Sequence, residues 1–201
     1  MILGLTGGIG CGKSAVLNIL QEDYGFHIFE ADRIAHEIME PGGRCYDKIV
    51  QSFGTEILDN NGVIDRNQFG MIVFSDKEKL STLNSIVHPA TIEEIFARIT
   101  KIRNVDCNAH FVIEAALLIE SGCNKLCDYV WYIYAKPSIR RQRLKEYRNY
   151  SDDKIDAVMK NQLDKETFAR IADAVIDNSH ELLETKKQIE ENLSKIITMT
   201  T

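Results

Sequence analysis

A glycine-rich octapeptide near the start of the chain has the composition and spacing that phosphate binding requires. Residues 7–14 read Gly-Gly-Ile-Gly-Cys-Gly-Lys-Ser and match the pattern G-x-x-x-x-G-K-[ST] in full. Glycines allow the loop to curl, so that successive backbone amides point inward at phosphate oxygens. We expect Lys13 to reach the β- and γ-phosphates and the Ser14 hydroxyl to ligate Mg²⁺. The predicted ATP-binding residues of this segment are Gly8, Ile9, Gly10, Cys11, Gly12, Lys13, Ser14 and Ala15.

The flanking sequence supports this interpretation of the loop. An apolar run, Ile2–Thr6, precedes it, and Val16, Ile19 and Leu20 share one face of the helix predicted to follow. A strand, a loop and a helix in that order form a P-loop, and the positive end of the helix adds to phosphate binding. The alternative, a purely structural glycine turn, does not explain the lysine and the serine.

Cys11 lies inside this loop and has two interpretations. A helix N-terminus can lower the pKa of a thiol, so oxidation of Cys11 could block ATP binding. The plainer alternative is a small residue that simply fits the loop.

Two carboxylates follow predicted strands, where ligands bind in open α/β sheets. Asp32 comes after His27–Phe29 and could accept the proton of an attacking hydroxyl, or it could be the N-cap of a helix over Arg33–Met39. Glu114 ends the strand His110–Glu114 and could hold the hydration shell of Mg²⁺, or form a salt bridge at the rim.

Other polar motifs are weaker. His88, before Pro89, is by itself more typical of a cap or packing residue than of a functional one. The segment 59–62 fits D-x-x-G, and Asn124-Lys125 resembles the start of a guanine-reading N-K-x-D, which suggests a GTPase. Both fail on context, because Asp59 follows no clear core strand and the required aspartate is displaced to Asp128.

Composition limits the partners and the compartment. The net charge of −6 disfavours a nucleic-acid partner. Five cysteines, an odd number at irregular spacing, predict no disulfide framework and no zinc site at Cys123 and Cys127. The first residues lack the features of a secretory signal, and no stretch approaches the roughly 20 apolar residues of a membrane span. We therefore expect a cytoplasmic protein.

Strands that alternate with helices predict an α/β fold with a five-stranded parallel sheet. The predicted strands are Ile2–Thr6, His27–Phe29, His110–Glu114, Tyr129–Tyr134 and Ala174–Ile176.

Two long intervals interrupt the alternation. The interval between the second and third strands is too long for a loop and predicts an inserted helical subdomain. Its predicted helices are Asp32–Met39, Cys45–Gly54, Arg66–Phe74, Asp76–Ser85 and His88–Ile102. The second interval, Lys136–Ile171, is rich in arginine, which fits either a solvated helix face or a lid that closes over a polyphosphate.

Together these residues resemble the dephospho-CoA kinase family over nearly the whole chain. The P-loop is followed by Ala31-Asp32, and residues 83–89 read Leu-Asn-Ser-Ile-Val-His-Pro, close to the L-N-x-I-V-H-P of that family. Residues 114–120 resemble D-x-P-L-L-F-E, Gln142 and Gln162 fall in the lid region, and residues 172–178 match A-D-x-V-I-D-N.

The resemblance implies transfer of the ATP γ-phosphoryl group to the 3′-hydroxyl of dephospho-CoA. It implies a nucleotide-binding core over 1–35, 105–136 and 171–201, a helical acceptor-binding insertion over 36–104 and a lid over 137–170. It implies that Asp32 is the base or hydroxyl-orienting group and that Lys13 is a further catalytic residue. Arg143 and Asn178 become ATP-binding residues, with Asn178 expected on the adenine side. The acceptor-binding residues that it implies are Asp32, His88, Leu117, Leu118 and Glu120. We expect a monomer or a weak homo-oligomer.

The lid departs from the family pattern. Tyr147 and Val158 stand where the family has arginines, which neutralise charge on the transferring phosphoryl group. Arg140 is the best remaining candidate for a catalytic arginine, followed by Arg148. The alternatives to this function are another small-metabolite kinase, such as a nucleoside monophosphate kinase, and a nucleotide-dependent switch without an acceptor.

Overall fold

The structure of this chain is a computed structural model that describes residues 1–160, 168 and 170–200. Five strands form one sheet in the order β2-β3-β1-β4-β5. The strands are β1 Ile2–Thr6, β2 His27–Glu30, β3 Phe111–Glu114, β4 Tyr129–Tyr134 and β5 Ala174–Asp177. The predicted five-stranded fold is thus confirmed, with differences of one residue at single ends of β2, β3 and β5.

The central position of β1 explains why all five of its residues are buried. It pairs in parallel with β3 on one side and β4 on the other, so that Leu3 lies beside both Val112 and Tyr129. Because parallel strands run in one direction, the carboxyl ends of β1 and β3 lie at one edge of the sheet. The P-loop follows β1 at that edge, and Glu114 ends β3 there.

Apolar side chains from alternate positions of the strands build the main core of the sheet. Leu3, Leu5 and Trp131 pack in one cluster with residues of two helices, one that follows the P-loop and one near the end of the chain. Those helix residues are Val16, Leu17, Ile19, Leu20, Ile189, Leu193 and Ile196. The helix after the P-loop is therefore held to the sheet by burial of its apolar face.

The helices are α1 Lys13–Tyr24, α2 Ala31–Met39, α3 Tyr46–Phe53, α4 Arg66–Phe74, α5 Lys77–Arg103, α6 Pro137–Arg148, α7 Asp152–Lys160 and α8 Leu182–Thr200. The side chains of Asp65 and Asp76 accept hydrogen bonds from backbone amides and so cap the starts of α4 and α5. No helix in this described part of the chain is long and apolar enough to cross a membrane.

One helix prediction is wrong. The two helices expected over Asp76–Ser85 and His88–Ile102 are a single helix, α5, with Pro89 in its interior. A proline removes one backbone donor and crowds the preceding turn, but it does not end the helix where burial holds both sides of it. Val87 and Ala90 flank Pro89 and are buried, and Ile95 and Ile99 extend the buried face.

The chain divides into two compact units. One contains the sheet and comprises residues 1–28, 109–118 and 127–201; the other is helical and comprises 29–108 and 119–126. Asp32 and the segment 119–126 thus belong to the helical unit, whereas the prediction assigned them to the nucleotide-binding core. The functional division into core, acceptor-binding insertion and lid stays a prediction.

Candidate active site

Two glycines of the P-loop stand where no side chain fits. A Cβ on Gly7 would lie 2.5 Å from the carbonyl oxygen of Ile133. Gly12 has φ 87°, in the left-handed region, and a Cβ there would lie 2.2 Å from Nδ2 of Asn178. The loop therefore packs directly on β4 and on the end of β5, and its course depends on these glycines.

Lys13 begins α1, and its side chain folds back to the start of the P-loop. Its Nζ donates a hydrogen bond of 2.9 Å to the Gly7 carbonyl and lies 3.4 Å from Oε1 of Glu114. Both side chains of the ion pair are mostly buried, with 17% and 12% exposure. The ammonium is thus held where the loop curls, and the pair brings the carboxylate at the end of β3 to the start of α1.

The P-loop residue after Lys13 completes a set of hard oxygen donors. Ser14 is exposed in the first turn of α1, and Glu114 is anchored beside Lys13. Hydroxyl and carboxylate oxygens are the ligands that Mg²⁺ accepts, usually with several waters retained. The residues present therefore fit the predicted Mg²⁺ role.

The outer side of the P-loop is tied to side chains of the sheet unit. Nε of Arg140 donates to the Ile9 carbonyl at 2.8 Å, and a terminal nitrogen of Arg143 donates to the Cys11 carbonyl at 3.2 Å. Nδ2 of Asn178 donates to the same Cys11 carbonyl at 2.9 Å. Two cations and an amide therefore hold the Ile9 and Cys11 carbonyls of the loop.

This tethering determines where the loop amides point. The peptide bonds of the loop are trans, and in a trans peptide the carbonyl of one residue and the N–H of the next point in opposite directions. With the Ile9 and Cys11 carbonyls turned toward Arg140, Arg143 and Asn178, the amides of Gly10 and Gly12 point away from them. The Cys11 amide between them is bonded to the Gly8 carbonyl, so the amides of Gly10 and Gly12 are the ones that this tethering directs toward an anion.

The basic residues of α6 divide into two groups. Arg140 and Arg143 bond the P-loop, whereas Arg141 bonds Asp152 and Asp156, and Lys145 bonds Asp152. These ion pairs join α6 to α7 and neutralise their charges. One side of α6 therefore contacts the P-loop, another side is ion-paired with α7, and the lid stays a prediction.

The aromatic residue at the position of a family arginine faces solvent. Tyr147 is 80% exposed, and Arg148 beside it is exposed as well. Arg140 bonds the P-loop directly. Among the described residues, the hydrogen bonds to the P-loop involve neither Tyr147 nor Arg148. Gln162 lies outside the described residues.

Burial decides between the two interpretations of Cys11. The side chain is 1% exposed, and burial raises the pKa of the Cys11 thiol, with a smaller opposing effect from the charge of Lys13. An oxidation-sensitive cysteine needs the opposite, an accessible thiol with a lowered pKa. The structure therefore favours a small residue that packs beneath the loop, and the redox hypothesis is not supported.

We expect Cys11 to resist alkylation in the native protein. Cys107 is exposed and provides a matched internal standard. With iodoacetamide at neutral pH, peptide mapping should find Cys107 modified at least about ten times faster than Cys11, because only accessible thiolate reacts. Equal rates at the two positions would show that the loop opens and exposes Cys11. That result would support the hypothesis that oxidation of Cys11 blocks ATP binding.

Asp32 lies in the helical unit, in the first turn of α2, and its side chain is exposed. The predicted N-cap alternative is wrong, because α2 begins at Ala31 and its N-cap position is Glu30. Among the described residues the Asp32 carboxylate has no hydrogen-bond or ion-pair partner, although its charge affects the pKa of Cys123. Burial raises the pKa of the Cys123 thiol, and the charge of Asp32 adds to that rise. Asp32 is therefore a free acceptor close to the segment 119–126.

The other predicted acceptor-binding residues differ in how far they are exposed to solvent. Glu120 and Leu117 are exposed, Leu117 by 52%. His88 is half-buried within α5, and burial lowers the pKa of its imidazole, which favours the neutral ring. Leu118 is fully buried. A Cβ on Gly4 would lie 2.9 Å from it, so its side chain packs against β1, and its contact with the acceptor stays a prediction.

The adenine-side role of Asn178 also stays a prediction. Asn178 was expected on the adenine side, but its side chain is 3% exposed and is bonded to the P-loop and to the Thr185 hydroxyl. Contact with adenine through the side chain would require these bonds to break. The sequence did not indicate Thr185, because a lone threonine in an amphipathic helix carries no pattern that distinguishes it.

Comparison with known proteins gives a consistent result. The profile of the family described as dephospho-CoA kinase matches residues 1–184. A dephospho-CoA kinase from Carboxydothermus hydrogenoformans is 41% identical over 94% of this chain and 90% of its own length. One from Aquifex aeolicus is 39% identical over 93% of each chain.

Solved structures agree with these sequence matches. A dephospho-CoA kinase from Campylobacter jejuni superposes with a TM-score of 0.70 at 27% identity, covering 100% of this chain and 98% of that one. A Thermus thermophilus protein has a TM-score of 0.81 at 24% identity and the same coverage. A shikimate kinase from Acinetobacter baumannii, with a TM-score of 0.55 at 16% identity, covers 98% of this chain and 93% of its own and shares the fold.

Proposed function

This chain belongs to the dephospho-CoA kinase family, and we propose that it transfers the γ-phosphoryl group of ATP to the 3′-hydroxyl of dephospho-CoA. The products are coenzyme A and ADP. The observation that carries the proposal is the tethered P-loop, whose carbonyls are bonded outward while Lys13 lies in its curl. An acidic chain that concentrates cations and amides at one loop is built to bind a polyphosphate rather than a nucleic acid.

In this proposal the P-loop amides and Lys13 bind the triphosphate of ATP. The Lys13 ammonium, which contacts Glu114 and the Gly7 carbonyl, turns to the β- and γ-phosphates. Ser14 would hold Mg²⁺ directly and Glu114 through water, and the ion would neutralise charge on the phosphate oxygens. These groups position the phosphoryl donor and stabilise the charge of the transition state.

Asp32 supplies the other part of the reaction. Its exposed carboxylate accepts the proton of the ribose 3′-hydroxyl and orients the oxygen toward phosphorus. His88, Leu117 and Glu120 are proposed to bind the acceptor, and Asp32, His88 and Glu120 all belong to the helical unit. We further propose that residues 137–170 act as a lid that excludes water, so that ATP is not hydrolysed.

Arg140 is the proposed catalytic arginine of the lid, and in that role its guanidinium turns from the Ile9 carbonyl to the transferring phosphoryl group. Replacing it with alanine should lower kcat by about 10- to 100-fold, since an aligned cation at a phosphoryl group is worth that much or more. Arg148→Ala is the matched comparison, because Arg148 is an exposed arginine on the same helix. Steady-state kinetics of both variants would assign the role, and a larger loss in Arg148→Ala would transfer it to Arg148.

The proposed reaction is tested by ADP release with several acceptors offered in parallel. A coupled assay with ATP and Mg²⁺ should show ADP release that depends on dephospho-CoA and not on AMP or other nucleotides. Release with AMP alone would favour a nucleoside monophosphate kinase. ATP binding with no acceptor-dependent release would favour a nucleotide-dependent switch.

The setting of this reaction is also a proposal. A charge of −6 and an irregular, odd set of cysteines support a reducing, cytoplasmic environment. We propose a monomer or a weak homo-oligomer.

A further inference from the structure

A buried threonine on α8 is linked to the P-loop through Asn178. Thr185 has no exposed surface, and its hydroxyl donates a hydrogen bond of 2.9 Å to Oδ1 of Asn178. Asn178 follows β5 directly, and its Nδ2 faces the carbonyls of Cys11 and Gly12 at 2.9 and 3.5 Å. The three contacts form a chain of hydrogen bonds from α8 to the loop.

The loop carbonyls and the Thr185 hydroxyl together hold the Asn178 amide in one orientation. A side-chain amide has a donor end and an acceptor end of nearly equal size. Backbone carbonyls only accept hydrogen bonds, so Nδ2 must face the loop, and Oδ1 then needs a donor on its other side. The Thr185 hydroxyl is that donor, and without it the buried Oδ1 would lose this hydrogen bond.

The direction of the Thr185 hydroxyl is unusual for this chain. The hydroxyls of Thr82, Thr91 and Thr100 bond the carbonyl four residues earlier in their own helix, a common local bond for threonine. The Thr185 hydroxyl instead leaves its helix and reaches Asn178. If the Thr185 hydroxyl only needed a hydrogen-bond acceptor, a carbonyl of its own helix would be expected in that role, as for the other three threonines.

We propose that Thr185 is a positioning residue for the nucleotide, an inference that rests on the ATP binding proposed above. Through Asn178 it helps to hold the Cys11 carbonyl, which Arg143 also bonds. The Gly12 carbonyl accepts the Ala15 amide in the first turn of α1, and the longer contact from Asn178 adds to that bond. In a trans peptide the Gly12 amide points opposite to the Cys11 carbonyl, toward the phosphates. The hydroxyl thus acts on this phosphate-binding amide through one intermediate side chain.

The test compares Thr185→Val with Thr185→Ser. Valine keeps the shape and removes the donor, and serine keeps the donor. Calorimetric titration with Mg-ATP should give a Kd raised about tenfold for Thr185→Val, the equivalent of one hydrogen bond, and close to the parent for Thr185→Ser. The Kd for dephospho-CoA should be unchanged in both variants.

Thr91→Val is the control for loss of a buried threonine hydroxyl. Thr91 is 4% exposed and bonds only a helix carbonyl, so its variant should lose thermal stability without a change in the Kd for ATP. If Thr185→Val does not fold, Thr185→Ala is titrated at lower temperature with the same expectation.

The outcomes separate two failures. A parent protein that does not bind Mg-ATP would refute the proposed function. A parent that binds, with Thr185→Val equal to it or with both ligands weakened alike, would overturn the positioning role. A selective loss for ATP that serine restores would support it.

Discussion

Lys13→Ala is expected to lower kcat by about two to three orders of magnitude and to weaken ATP binding by at least about tenfold. The structure gives the reason. The ammonium lies 2.9 Å from the Gly7 carbonyl and 3.4 Å from Glu114, so it is already within the loop that receives the phosphates. Alanine removes the only side-chain cation of the loop itself and leaves the mostly buried Glu114 carboxylate without this partner. Titration with Mg-ATP and steady-state kinetics on the same preparations measure both effects.

The control for Lys13→Ala is Lys187→Ala, which removes one positive charge from an exposed position on α8. It should change kcat and ATP affinity by less than about twofold, as exposed substitutions usually do. Thermal unfolding shows whether the loss of the ion pair with Glu114 also destabilises the fold. If folded Lys13→Ala bound Mg-ATP as tightly as the parent protein, the proposed role of the loop would be wrong.

Asp32→Asn is expected to lower kcat by about two to four orders of magnitude, the range typical of a lost general base. The Kd for Mg-ATP should stay within about twofold of the parent value, because the substitution removes a charge but hardly changes shape. The reason is the state of the carboxylate. It is exposed in the first turn of α2 and has no hydrogen-bond or ion-pair partner within the described ranges, so it is available to a substrate hydroxyl.

Asp47 provides a closely matched control. It is also exposed, and it is the second residue of its helix, α3, as Asp32 is of α2. Both carboxylates lie near the positive end of a helix dipole, so both amide variants lose a similar, small stabilisation. Turnover of Asp47→Asn should equal that of the parent protein. Near-parental turnover of Asp32→Asn would remove Asp32 from the mechanism.

The sheet and the P-loop could be predicted from the sequence because their signals are local. Five apolar runs bounded by polar or turn residues became the five strands, and the glycine spacing around Lys13 fixed the loop between β1 and α1. Glu114 could be placed beside the loop because the carboxyl ends of parallel strands meet at one edge.

Features that depend on tertiary packing could not be predicted in the same way. Pro89 predicts a helix end by its backbone chemistry, but burial on both sides of it keeps α5 continuous. The asparagine of the segment 172–178 was visible as a motif, but its bonds to Cys11 and Thr185 depend on how β5 and α8 pack behind the loop. The burial of Leu118 beside an exposed Leu117 likewise follows from which side of the chain meets β1.

The central claim is that the tethered P-loop delivers the terminal phosphoryl group of ATP to an alcohol. The most direct measurement is phosphorus NMR of the products formed from ATP, Mg²⁺ and dephospho-CoA, with mass detection of the acceptor. The account predicts one new phosphomonoester at the ribose 3′ position for each ADP formed. Release of inorganic phosphate with unmodified dephospho-CoA, or no acceptor-dependent ADP, would contradict it.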